Sequence, residues 1–214
     1  MQMPAISAAP GKLARMSRRT LARMKANPKA KVLVPKFKIF HDALKSAQAT
    51  YMDADDARID AAAVVEEMDF NAREVLTDCQ LDLLSVVRRD YKDPIYVTYL
   101  PEGLDAVKSL TGVDLRNRLM VLVTVVSKEP KGSKLAAHLV PLNAAIAAYK
   151  VPLTDLETTD KALVVADTAL SVAKTQWLAA YDALAGELRA LFPRRKAFVD
   201  SFFPSGKKGK KVKV

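Results

Sequence analysis

The sequence predicts an all-α protein: an elongated antiparallel bundle of about four main helices, two of them long, with a basic arm at each end. Three observations predict it. Leu156, Leu163, Leu170, Trp177, Leu184 and Leu191 fall seven apart, and a seven-residue repeat keeps one seam of a helix facing a partner. The 55 residues from Phe37 to Tyr91 contain neither Gly nor Pro, so nothing local interrupts a helix there. Only 7 of 214 residues are Gly and half are apolar, with few aromatics, a composition that favours helix–helix packing over disorder.

The first 36 residues alternate basic and apolar positions. Leu13, Met16, Leu21 and Met24 mark one side of a short helix with Arg on the others. Asn27-Pro28 ends it, because Pro steers the preceding residue out of the helical region, and Pro35 is a second break. No apolar run of secretory type follows the charges. A cytoplasmic protein is expected, with an acid-free organellar transit peptide kept as an open alternative.

From Phe37 the series Phe37, Phe40, Leu44, Ala47 and Tyr51 steps by threes and fours, and Arg58 interrupts it. A shifted series follows through Val65, Met68, Ala72, Val75, Cys79, Leu83 and Val86. Unbroken, this helix extends roughly 80 Å at 1.5 Å per residue; a bend near Arg58 is equally allowed. Asp93-Pro94 stops it. Ile95–Leu100 has the composition of a strand without a partner, and is read as an extended connector lying on the bundle. Pro101-Glu102-Gly103 opens a short helix that ends near Gly112, and another runs from Asp114 to Ser127. Its apolar run Leu119–Val126 is too short to span a bilayer. Apolar all round, it is expected in the bundle centre, with a buried strand as the alternative.

Glu129–Gly132 forms a turn, and Ser133 N-caps a helix that Pro141 kinks. Val151-Pro152 breaks that helix, Thr154 or Asp155 caps the ladder helix, and Phe192-Pro193 closes it. Tyr181 and Leu188 widen the ladder's apolar face below Trp177, whereas Asp160 and Asp167 flank its upper rungs. That pattern favours packing within one chain over a free coiled coil. Phe198, Phe202 and Phe203 are expected to fold back on the bundle end. The organisation is a basic N-terminal arm (1–36), a helical bundle domain (37–204) and a Lys-rich tail (205–214) expected to be disordered.

Charge follows that division. Between Met1 and Lys38 there are ten Lys or Arg and no acid, and from Pro193 onward eight basic residues face Asp200 alone. Residues 39–192 carry 16 basic and 23 acidic side chains, so the whole positive excess behind the net +10 resides in the two ends.

Catalytic chemistry finds no foothold. Bundle di-iron sites need Glu-x-x-His pairs, but Lys38 precedes His41 by three residues and Leu135 precedes His138. One Cys and two distant His cannot make a zinc site. Asp53, Asp55, Asp56 and Asp60 lack the Gly and Glu of a calcium loop, since Arg58 and Val64 hold those positions; they read as a solvated acidic face. Cys79 lies on the apolar series, where Asp78 and Asp82 oppose ionisation. His138 reads as a core histidine, and Glu66 and Glu67 do not face each other. No phosphate loop, nucleophile elbow or dinucleotide fingerprint occurs. A non-enzymatic protein without cofactor or metal is expected.

The basic ends carry the functional expectation. Lys12, Arg15, Arg18, Arg19, Arg23 and Lys25 form one cluster, and Lys207, Lys208, Lys210, Lys211 and Lys213 another. Such clusters bind polyanions by neutralising phosphates without reading base sequence. The scarcity of aromatics within them argues against stacking on single strands. The expected partner is DNA or RNA, or else an acidic protein surface, contacted by a scaffold protein. A second expectation is a structural subunit of a protein-only assembly that oligomerises through apolar seams, and so a homo-oligomer. A third is peripheral contact with an anionic membrane through the amphipathic N-terminus.

Overall fold

The computed structural model describes Pro4 and residues 7–203. Among them the chain forms eight α-helices and no strand: α1 (Pro10–Lys25), α2 (Val34–Val86), α3 (Pro94–Tyr99), α4 (Leu104–Lys108), α5 (Gly112–Val126), α6 (Leu139–Ala148), α7 (Lys150–Leu191) and α8 (Lys196–Ser201). The protein is an all-α helical bundle with two long helices, of 53 and 42 residues.

The chain divides into two compact units, and the division does not follow the boundaries drawn from charge. One unit holds the described residues of Met1–Asp55 and Ala162–Val214; the other is Asp56–Lys161. Both long helices contribute to both units. Each unit has its own hydrophobic cluster.

In the first unit α1 is part of the core. Pro10 starts it, where a missing N–H costs nothing. Leu13, Ser17, Thr20, Leu21 and Met24, spaced to share one side of a helix, are all buried. Leu13, Leu21 and Met24 meet Phe37 and Leu44 of α2 and Leu170, Trp177, Tyr181, Leu184 and Leu188 of α7 in one cluster. The Asn27-Pro28 break holds: α1 ends at Lys25, and Asn27 Oδ1 accepts from the Lys29 and Ala30 N–H groups at 3.1 Å. The widened foot of the ladder is present, with Trp177, Tyr181, Leu184, Ala185 and Leu188 buried in succession. The Phe segment does fold back: Phe203 packs edge-on to Tyr181 at 5.0 Å, and Phe202 stacks on Phe192 at 6.0 Å.

In the second unit, Val65, Ala72, Leu76, Cys79 and Leu83 of α2 pack with buried residues of α3–α6. Four expectations are corrected here. Ile95–Leu100 is not extended: Pro94–Tyr99 is helical, because Asp93 Oδ1 caps the Ile95 N–H at 2.8 Å and Pro94 occupies the first helical position. With no strand to pair with, the β-prone composition yields to the cap. Helix α5 is not surrounded by core. Leu115, Leu119, Leu122 and Val126 are buried, but Met120 and Val121 are 47% and 53% exposed, since α3, α4 and α6 cover one side only. The long helix ends at Val86, five residues before Tyr91, where Arg88 and Arg89 take positive φ. Pro141 does not kink a helix from within, whereas Pro152 does mark a break, since α6 ends at Ala148 and α7 starts at Lys150. Each proline lies in a first turn, of α6 and α7 respectively, where no N–H is needed, and α7 therefore starts four residues before Thr154. Ser133 Oγ does cap, accepting from the Ala136 N–H at 3.0 Å.

One buried acid ties this unit together. Asp69, 3% exposed, accepts from the Gly112 N–H at 2.8 Å and from the Tyr149 hydroxyl at 2.7 Å through one oxygen. Its other oxygen lies 3.9 Å from Arg73, whose guanidinium donates to the Lys108 and Leu110 carbonyls at 2.8 and 2.9 Å. Gly112 sits at φ +53°, a left-handed conformation that favours glycine. Asp69 thereby pins the starts of α5 and α7 to α2.

Candidate polyanion-binding face

Burying one side of α1 leaves its basic side outward and held in place. Lys12, Arg15, Arg18, Arg19, Arg23 and Lys25 are all exposed. Among the described residues none of the six pairs with an acid. Arg15 Nε reaches only its own helix at Gly11, and Arg23 donates to the Ser201 carbonyl, tying α1 to α8.

Two concavities lie on this face. One, of about 490 Å³, is lined by Lys12, Arg15, Met16 and Arg19. The other, of about 280 Å³, lies between α1 and α2 and is lined by Ala14, Arg15, Arg18, His41 and Lys45. Arg15 borders both. His41 and Lys45 come from α2, 16 or more residues beyond Lys25, and sequence reasoning did not group them with the arm. The signal was absent, since only the tertiary packing of α1 on α2 joins them.

His41 has a defined environment. Its Nδ1 lies 2.7 Å from Ser17 Oγ, which itself reaches the Leu13 carbonyl at 3.0 Å. Burial lowers the imidazole's affinity for a proton, and Lys45, Lys38 and Arg18 lower it further against the opposing charge of Asp42. Asp42 is held ionised by its bond to Lys38. The ring is therefore a latent charge beside three permanent ones.

No protein-family model, curated protein sequence or solved structure matches this chain.

The charge of each unit supports the same face. Among described residues the first unit carries 16 Lys or Arg against 7 acids, and the second 13 against 17. The acidic excess of residues 39–192 is shared: 17 acids against 13 cations lie in the second unit, and 6 against 3 lie in the stretches 39–55 and 162–192 that join the first unit, whose positive charge comes from α1 and its surroundings. Lys207, Lys208, Lys210, Lys211 and Lys213 lie outside the described residues.

The remaining candidates fall where chemistry is quiet. Cys79 is buried, and burial with the charge of Asp82 pushes its thiol up to about 12, so it is protonated and inert at neutral pH. His138 is largely buried with Nε2 2.9 Å from Asp82 Oδ2. Asp53, Asp56 and Asp60 are exposed. No group of three or more His, Cys, Asp or Glu among the described residues could hold a metal ion. No helix among them is long and apolar enough to cross a membrane.

Proposed function

We propose that this is a non-enzymatic interaction or scaffold protein whose basic unit binds nucleic acid, DNA or RNA, through the backbone and without sequence preference. The observation that supports it most is the row of six exposed, acid-free cations on a helix whose other side is core. Pre-ordered cations lose less conformational entropy on meeting phosphates than those of a free arm. The two concavities add His41 and Lys45 to the same anionic track. Base stacking is not part of the proposal, because no Phe, Tyr or Trp lines either concavity.

The test is substitution and not deletion. Leu13 and Met24 are fully buried, so removing α1 would open the core along with the face. Arg15, Arg18 and Arg19 are changed together to Gln, and binding of a labelled mixed-sequence duplex is followed by anisotropy across salt. Each lost phosphate contact lowers the salt slope by about 0.9, so the triple variant is expected to lose roughly two to three units of slope. Absent binding by the full chain, or an unchanged slope in the variant, sinks the proposal.

A second proposal keeps support from exposed apolar residues: association of copies into a protein-only assembly. Met52, Ile59 and Phe70 on α2 and Val164, Val165 and Val172 on α7 are each more than half exposed. Molar mass by light scattering, rising with concentration and falling on Val165→Lys, favours it. Peripheral membrane binding through α1 loses its support, since the apolar side that would enter lipid is occupied by the protein's own core.

A further inference from the structure

We propose that the second unit carries a binding pocket for a small organic anion, a carboxylate on an apolar chain, set between α5 and the first turns of α7. The pocket has a volume of about 600 Å³, within the range of small-molecule sites. Val113, Leu153 and Leu156 give it apolar walls, Tyr149 is fully buried beneath them, and Arg116 and Lys150 supply charge.

Charge at the pocket is not balanced. The acids on its rim already have cations of their own: Glu157 pairs with Lys161 at 2.6 Å and Asp160 with Arg58 at 2.6 Å. Arg116 and Lys150 pair with no acid among the described residues, leaving two positive charges uncompensated. Arg116 Nε is shielded from solvent and meets no hydrogen-bond acceptor in the protein. A guanidinium cannot shed its proton to relieve that, whereas a carboxylate in the pocket relieves it with paired N–H···O bonds once the side chain turns its Nε edge toward the ligand.

Rigidity favours the same assignment. Asp69 holds Tyr149 and the N–H of Gly112, so the floor and the start of α5 are fixed before any ligand arrives. A polyphosphate fits less well: Val113, Leu153 and Leu156 offer it no donors, Glu157 and Asp160 stand on the rim, and no glycine-rich turn offers a run of N–H groups. The proposal is independent of nucleic-acid binding, because none of its residues belongs to the basic face.

Octanoate is the probe, titrated calorimetrically into the full chain, with 1-octanol and octylammonium as matched controls. One saturable octanoate site is expected, with neither control binding comparably. Arg116→Gln should weaken it roughly 10- to 100-fold, the loss of a charged hydrogen-bonded pair. Lys150 is exposed, so Lys150→Gln, expected to weaken binding several-fold, decides the matter if the arginine variant fails to fold. The Arg116 Nε–H resonance should shift on titration, and Arg15→Gln/Arg18→Gln/Arg19→Gln should bind octanoate as the parent does. Binding of octanol as tight as octanoate, no effect of Lys150→Gln, or spectral changes confined to the first unit would overturn the proposal.

Discussion

Replacing Asp69 with Ala should be among the most damaging single changes in this protein. The carboxylate is 3% exposed, and one of its oxygens receives both the Gly112 N–H and the Tyr149 hydroxyl. A hydrogen bond to a charged group contributes about 1.5–3 kcal/mol, and an orphaned buried donor costs a similar amount. Two donors are orphaned together, and water entering the vacated space offsets part of the loss, so Asp69→Ala should cost about 3–5 kcal/mol. Asp69→Asn offers a sharper comparison. Because both donors use a single oxygen, an amide oxygen can still accept from both. What disappears is the charge and its attraction to Arg73, 3.9 Å away and 31% exposed, a loss of about 1–2 kcal/mol. Urea unfolding followed by far-UV circular dichroism measures both. The sole Trp, Trp177, lies in the first unit, so its fluorescence shows whether that unit unfolds in the same step. A double-mutant cycle with Tyr149→Phe should give a coupling of about 1–3 kcal/mol. If Asp69→Ala falls within about 0.5 kcal/mol of the parent, or Asn is as damaging as Ala, the reasoning from shared acceptance is wrong.

Other expectations follow from the same geometry. Tyr149→Phe removes a hydroxyl bonded to a buried carboxylate and should cost about 1–2 kcal/mol, whereas Tyr181→Phe removes a buried hydroxyl that meets only the neutral Thr20 hydroxyl, without good hydrogen-bond geometry, and should cost under about 1 kcal/mol; equal losses in thermal melts would refute the contrast. High pH should destabilise the fold. Burial pushes the Cys79 thiol and the Tyr181 phenol up to about 12 and moves Tyr99 and Tyr149 further the same way. The native state then binds more protons than the unfolded chain, so this stability is complete below about pH 8.5 and declines above it as the unfolded thiol and then the phenols ionise. Chemical denaturation at pH 8 and pH 10.5 measures the decline. Duplex affinity should rise as pH falls from about 7.5 to 5.5, because phosphate near Arg18 and Lys45 favours the charged form of His41, whose proton affinity burial has lowered. His41→Gln should abolish that dependence, and a parent without it would remove His41 from the face. Native Cys79 should resist thiol reagents at pH 8 and react only at the rate of unfolding.

Much of the fold could be read along the chain, and the reasons are local. The widening foot of the ladder appears in Trp177, Tyr181, Leu184 and Leu188 as a pattern that any core must cover, and those residues are the heart of the first unit. The Asn27-Pro28 break and the Ser133 cap are settled within a few residues. Misreadings arose where two local signals competed. Val and Tyr in Ile95–Leu100 suggest an extended strand, but the Asp93 cap and Pro94 outweigh them. Pro141 reads as a kink only if the helix start is misplaced, and in a first turn it costs little.

The sequence by itself determined the helical class, the long helical stretch after Phe37, the burial of Cys79 and the row of cations from Lys12 to Lys25; that the long helix runs unbroken past Arg58 only the structure decided. Those four follow from spacing, composition and side-chain chemistry within one stretch. Only the tertiary structure decided what those cations belong to. Charge counting draws an arm beside a body, because it weighs Arg15 and Arg19 and passes over Leu13 and Met24 between them. Packing places Leu13 and Met24 against Phe37, Leu44 and Trp177, making the arm one wall of a basic unit, joined there by His41 and Lys45. The same holds for Asp69, Gly112 and Tyr149, which lie up to 80 residues apart and meet at a single carboxylate oxygen. A buried polar junction of that kind has no periodicity to announce it; it exists only because the folded chain leaves each of its donors one acceptor.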